Sequence, residues 1–295
     1  MLMSANDLLN LFQELDDAGL EKVSRETVVR SPFPYPGGKT KSIKHIIQHL
    51  PYRNTYVEPF GGSGAILLAR QPCKLEVFND RYAGVVALYR CIRDAKKCKA
   101  LVERLSTIVH SREEFVWCSK SWETYQDDVE RAARWYYVVM FSFGRLMRNF
   151  GRATSGDAQL AAATARHILE FDKVHNRIKF CLIENQDWRN IVHDFDNEEA
   201  VFYLDPPYYM VHKGTYKHEL TTQEHRDLLN HIMKMQSFVA ISGYHNELYD
   251  SYDWDEVHEW DSQVSIQPMA FHEENNKAGQ NSQRSSAKEV LWIKR

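Results

Sequence analysis

Residues 201–208 constrain this chain more than any other stretch: Val201-Phe202-Tyr203-Leu204 runs straight into Asp205-Pro206-Pro207-Tyr208. The first four are apolar and aromatic, the pattern of a short buried strand. Two consecutive prolines cannot continue a central strand, because neither has an N–H to donate to the ladder. The strand must therefore end there, delivering an acid, a rigid turn and an aromatic ring at its carboxyl end. In open α/β sheets that end is where ligands bind. Asp205 supplies a hydrogen-bond acceptor, Pro206 a carbonyl held by restricted φ, and Tyr208 a flat stacking face. The set suits a planar amine that must be oriented and activated. The plain alternative is an ordinary Pro-Pro strand exit.

Two further punctuated stretches precede it. In Ser31-Pro32-Phe33-Pro34-Tyr35-Pro36-Gly37-Gly38-Lys39 three prolines stiffen the chain, the glycines permit close approach of a ligand, and Lys39 opens a helix to about His49. Gly38-Lys39-Thr40 suggests a phosphate-binding loop, but Phe33 stands where that motif needs a glycine, so no nucleoside triphosphate site is implied. A strand over Thr55–Glu58 then leads through Pro59-Phe60-Gly61-Gly62-Ser63-Gly64 into a helix at about 65–70. Strand, glycine turn and helix is an arrangement that holds a cofactor, although tight βα turns need glycine in any case. The next strand, 75–78, ends in Asn79-Asp80, where an acid can meet ribose hydroxyls or merely cap a turn.

The βα alternation then stops. A helical pattern runs from Ala83 to about His110, followed by a segment rich in aromatic and basic residues. Over 131–179 there are nine Lys/Arg (Arg131, Arg134, Arg145, Arg148, Arg152, Arg166, Lys173, Arg177, Lys179) against three acids (Asp157, Glu170, Asp172), in a chain of net charge −3. Such asymmetry is expected if one face meets a polyanion; a solvated basic face is the alternative. Alternation resumes with strands at 178–183, 201–204, 238–242, near 254–258 and at 288–293, and with a helix N-capped by Thr221 and Glu224. Residues 209–219 read as a lid, 261–287 as a loop ordered by a partner if at all, and 4–19 as an appended helix.

The five cysteines form no C-x-x-C and lack histidines at zinc-ligand spacing, so reduced thiols in a cytosolic protein, with no metal site, are expected. No apolar run approaches a membrane span.

Taken together, residues 34–39, Val57-Glu58-Pro59-Phe60-Gly61-Gly62-Ser63-Gly64 and Asp205-Pro206-Pro207-Tyr208 resemble the Dam-like family of DNA adenine-N6 methyltransferases. The order is similar to that of the alpha group, whose target-recognition segment lies between the cofactor motifs and the catalytic tetrapeptide. The resemblance covers about 31–295, including Asn185-Gln186-Asp187-Trp188 and the closing Lys288-Glu289-Val290-Leu291-Trp292. It implies an α/β fold: a Rossmann-like, S-adenosylmethionine-dependent methyltransferase sheet with a mainly helical target-recognition insertion. The corresponding division is an N-terminal helical extension (1–30), a catalytic domain (31–85 and 178–295) and a DNA-binding domain (86–177). It implies S-adenosyl-L-methionine as cofactor, with Tyr35, Gly38 and Lys39 beside its methionine part and Glu58, Phe60, Gly61 and Gly62 lining the turn. Asp80 would meet the ribose, Asp187 and Trp188 the adenine, and Asp205 both cofactor and target. Asp205, Pro206 and Tyr208 would act on a flipped adenine in duplex DNA, in a bacterial or phage-infected host cell. Arg145, Arg148, Asn149 and Arg152 are the expected DNA contacts. The family's Phe-Asn-Gly-x-x-Arg-x-Asn pattern is altered here to Phe143-Gly144-Arg145-Leu146-Met147-Arg148-Asn149, so its frequent GATC target is not carried over. Two alternatives stand beside this reading: the same tetrapeptide acting on adenine in RNA or an amide in protein, and a non-catalytic homologue that binds DNA or cofactor.

Overall fold

The computed structural model describes residues 29–35, 37–143, 147–151, 164–209, 218–263 and 286–295. The readings for the 4–19 helix, Arg145, Arg152, residues 210–217 of the lid and most of the 261–287 loop lie outside these residues.

Seven strands, β1 (Thr55–Glu58), β2 (Leu75–Asn79), β3 (Leu182–Glu184), β4 (Ala200–Leu204), β5 (Phe238–Gly243), β6 (Glu256–Gln263) and β7 (Ser286–Lys294), form one sheet in the order β3-β2-β1-β4-β5-β7-β6. The first five are parallel, with Val57 level with both Val77 and Phe202, and Phe202 level with Val239. β7 lies antiparallel between β5 and β6. The strand order reverses between β1 and β4, which opens a crevice beyond their carboxyl ends.

β4 and β5 are buried along their whole length, as central parallel strands must be when helices cover both faces. Side chains alternate with the period of two that a strand imposes. Tyr56, Val201, Tyr203 and Ala240 face one apolar cluster; Val57, Phe202, Leu204, Val239 and Ile241 face the other. Helices α1 (Ile43–Ile47), α2 (Ala65–Ala69), α3 (Ala83–Arg93), α4 (Ala95–Thr107), α5 (Arg112–Ser121), α6 (Asp128–Phe141) and α7 (Phe171–Ile178) contribute to the first cluster. Helices α8 (Trp188–Phe195), α9 (Thr222–Ile232) and α10 (Glu247–Asp250) contribute to the second. The 83–141 helices thus share one continuous core with the sheet: Trp135, Tyr136 and Val139 of α6 lie in the same cluster as Tyr56 and Phe78. Among the described residues no helix is long and apolar enough to cross a membrane.

Three local expectations change. The helix read from Ala83 to His110 is broken at Asp94, whose carboxylate leaves the helical path to accept the N–H groups of Lys96 and Lys97 and so caps α4. The strand expected over 178–183 begins only at Leu182, because Phe171, Val174 and Ile178 form the buried stripe of α7. Lys39–Lys41 is a single 3-10 turn ahead of α1. The excess charge of the middle segment is also not all at a face. Arg134 is buried against Glu130 and Glu114, and Arg177 against Glu76. All five cysteines are free thiols.

Candidate active site

The crevice between β1 and β4 is a pocket, and four segments build its wall. The first is the turn before α1. Gly38 donates its N–H to the Tyr35 carbonyl at 2.9 Å, and Gly37 adopts φ +74°, a left-handed conformation that costs glycine little. This turn drives the Lys39 side chain inward, where it is only 5% exposed. Its ammonium donates to the Gly37 carbonyl at 2.8 Å and lies 2.6 Å and 2.7 Å from the two Asp205 oxygens. A buried ammonium without such partners would carry a large desolvation cost.

The second segment is the glycine turn after β1. Gly62 and Gly64 take φ of +50° and +63°. Glu58, at the strand's end, is buried; it accepts the Tyr56 hydroxyl at 2.6 Å, and enclosure pushes its carboxyl up to about 8. The third segment follows β2. Asp80 accepts the N–H of Gly62 and that of Tyr82, each at 2.7 Å, while burial raises its carboxyl to about 6. One oxygen takes each bond, which leaves lone pairs free for hydroxyl donors of a ligand.

The fourth segment is the exit from β4. Asp205 sits where the prolines end the strand, and Ser242 on β5 donates to its Oδ1 at 2.9 Å. Burial raises the Asp205 carboxyl, Lys39 opposes that, and Glu289 adds to it. The Tyr208 ring is 8% exposed, its hydroxyl donating to Glu289 at 2.8 Å, with the Lys39 ammonium 4.8 Å from the ring centroid and Tyr244 edge-on at 4.9 Å.

Tyr35, Gly38, Lys39, Glu58, Phe60, Gly61, Gly62, Asp80, Trp188 and Asp205, each singled out in the sequence, line this pocket together. Asp187 does not. Its carboxylate caps α8 through the Arg189 N–H and pairs with the Arg189 guanidinium, and Gln186 stands on the wall instead. Pro206 and Tyr208 are not on the wall either; Pro207 is, and the Tyr208 ring lies behind it beneath Lys39. Arg148 and Asn149 do not line the pocket; they are exposed on the short hairpin in which Ser142 bridges Phe150. Sequence reasoning passed over Ser242, Tyr203, Tyr82 and Glu289. For Glu289 a signal existed, an acid inside an otherwise apolar strand; for Ser242 there was none.

The wall fits S-adenosylmethionine. Glu58 and Asp80 offer carboxylates to a cationic ligand bearing a diol, and Lys39 offers a cation to a carboxylate. Trp188 offers an aromatic face, and its buried indole N–H has no acceptor among the described residues.

Comparison with known proteins leads to the same chemistry. M.CviBI, a type II methyltransferase of Paramecium bursaria Chlorella virus NC1A, is 25% identical over 227 residues, or 74% of this chain and 85% of the viral protein. Residues 35–266, which span the Lys39 turn, the glycine turn and the Asp205 tetrapeptide, match the D12 class N6 adenine-specific DNA methyltransferase family. That match covers the strands that form the crevice, carrying these three motifs in this order, and the chain belongs to the D12 class of N6 adenine-specific DNA methyltransferases.

Proposed function

We propose that Asp205 and the Pro206 carbonyl accept the two hydrogens of an adenine N6 amino group, with S-adenosyl-L-methionine bound along the Tyr35–Lys39, Glu58–Gly62, Asp80 and Trp188 wall. The observation that carries this reading is the Asp205 carboxylate, ended by prolines at the sheet's switch point and facing that wall. Adenine N6 is a poor nucleophile because its lone pair is delocalised into the ring. Two acceptors draw the nitrogen toward a tetrahedral form and localise that pair in a water-poor site. The cofactor, when bound, supplies an already activated sulfonium methyl. The protein's part is then to hold nitrogen and methyl in line, which accounts for much of the rate gain.

The target base is out of reach inside a duplex and must be flipped into the crevice. Tyr208 is the aromatic face beside it, worth on the order of 1–3 kcal/mol per stacked base. The hairpin that exposes Phe143, Arg148 and Asn149 is the surface we assign to the duplex. By its similarity to a type II methyltransferase, the protein is assigned to the restriction-modification class of DNA methyltransferases, acting in the cytoplasm of its host cell.

The test is Asp205→Ala with labelled S-adenosylmethionine and duplex DNA. Methyl transfer to adenine N6 is expected to vanish while cofactor affinity stays within a few-fold. Transfer at the wild-type rate would overturn the assignment. Modified-base mapping of the wild-type product locates the recognition sequence in the same experiment.

A further inference from the structure

β7 carries a buried glutamate behind the crevice wall, against Lys39 and Tyr208. Glu289 is 5% exposed, and each of its oxygens is engaged. Oε1 accepts the Tyr208 hydroxyl at 2.8 Å, and Oε2 accepts the Ser42 hydroxyl at 2.5 Å. The Trp260 indole N–H donates to the same Ser42 oxygen at 3.2 Å, which fixes it from β6. Lys39 lies 3.5 Å from Oε1, just beyond direct hydrogen bonding, while it sits on both oxygens of Asp205. One ammonium thus covers Asp205 and lies over the Tyr208 ring, the two groups that the proposed reaction offers to an adenine. Three donor contacts already occupy the Asp205 carboxylate, Lys39 on both oxygens and Ser242 on Oδ1, so an incoming N6 hydrogen competes with that ammonium. A buried cation moves only if another anion is at hand.

We propose that Glu289 is the positioning residue of this site: it anchors Tyr208 and takes up Lys39 when an adenine amino group displaces that ammonium from Asp205. The inference rests on the reading of Asp205 given above. No bond is made or broken at Glu289. The charged and titratable groups around it are Lys39 on the 3-10 turn, Asp205 and Tyr208 after β4, Tyr203 within β4, and Tyr244 after β5. Among these Lys39 alone is cationic. The Glu289 anion also raises the Asp205 carboxyl, so its removal moves Asp205 downward.

Glu289→Gln keeps the shape, leaves a carbonyl oxygen for one hydroxyl and an amide N–H that the other can accept, and deletes the anion. Single-turnover methylation should slow by about 10²-fold, the scale of loss that a roughly 1 Å misplacement causes. KM for DNA and Kd for S-adenosylmethionine should change by less than about threefold, since the group acts through others. The acid limb of the rate–pH profile should move to lower pH. Glu289→Asp, which keeps the anion, should leave that limb at its wild-type position and recover part of the rate. A Gln variant within about threefold of wild type, an acid limb that does not move, or a collapse of cofactor binding in parallel with rate would each overturn the proposal. If Glu289→Gln does not fold, Tyr208→Phe takes its place: a loss of about tenfold with an unmoved acid limb is expected, and an unchanged rate refutes the anchoring. Asp205→Asn in the same assay separates the two levels. If it methylates normally, the reading of the site fails; if it is inert while Glu289→Gln is normal, only this inference fails.

Discussion

Glu58 closes β1 with its carboxyl enclosed in the pocket wall, and the direction of its shift has a measurable result. Burial raises it from 4.5 to about 8, and raises Asp80 from 3.8 to about 6. In both cases the folded protein binds the proton more tightly than the unfolded chain does. The stability from each group is therefore complete below its unfolded value and is lost as pH rises through its folded one. Without cofactor, the unfolding free energy measured in urea should fall from about pH 4 to about pH 8, by on the order of 8 kcal/mol given about 1.4 kcal/mol per pKa unit. Glu58→Gln should abolish the part of that fall above about pH 6, beyond the Asp80 window. A cationic ligand beside Glu58 favours the carboxylate, so cofactor affinity should rise over the same interval. Calorimetry in buffers of different ionisation enthalpy reads the released proton directly.

The element that ties this wall together is the turn between β1 and α2. A Cβ added to Gly61 would lie 2.2 Å from the Phe78 ring, which is itself buried beneath Tyr89. Phe78 has no room to retreat, so Gly61→Ala should destabilise the fold by about 1–3 kcal/mol, the usual cost of overpacking. The denaturation midpoint should fall while the slope of the transition stays the same. At this scale the sequence was a good guide where a local rule dominates. The Thr55–Glu58 strand, the prolines after Leu204 and the Thr221–Glu224 capping box are all found where their chemistry calls for them. It was a poor guide where two local rules compete. Asp94 is compatible with a continuous helix or with a cap, and tertiary packing of α4 on α6 decided for the cap. The 178–183 stretch is apolar enough for a strand, but the partnership of Arg177 with Glu76 keeps its first residue, Ile178, in a helix and delays the strand to Leu182.

For the whole molecule, the charge pattern carries less than its sum suggests, because Arg134 and Arg177 are neutralised inside the fold. Arg148, exposed on the 142–150 hairpin, is the cleaner test of the DNA face. Arg148→Ala should weaken binding to all sequences alike and reduce the slope of log K against log salt by about one. An unchanged slope removes it from the phosphate contacts. The cofactor side of the site was legible because its motifs are contiguous: glycines, prolines and acids within a few residues report their own geometry. The Glu289 side was not, since nothing local to β7 says that it enters between β5 and β6 and meets Ser42 and Tyr208.

That strand placement also bears on how fast the molecule can be assembled. Lys39 and Asp205 are 166 positions apart, and Ser42 and Glu289 are 247 apart. Contacts that close such long loops form only after most of the chain's freedom has been lost, and they slow folding. β7 is paired on both sides, with β5 and with β6, so its hydrogen bonding is complete only when both have joined it. In refolding from denaturant, burial of the parallel core around β1, β4 and β5 should therefore precede the ability to methylate. Recovery of activity would then time the last step of the search rather than the first collapse.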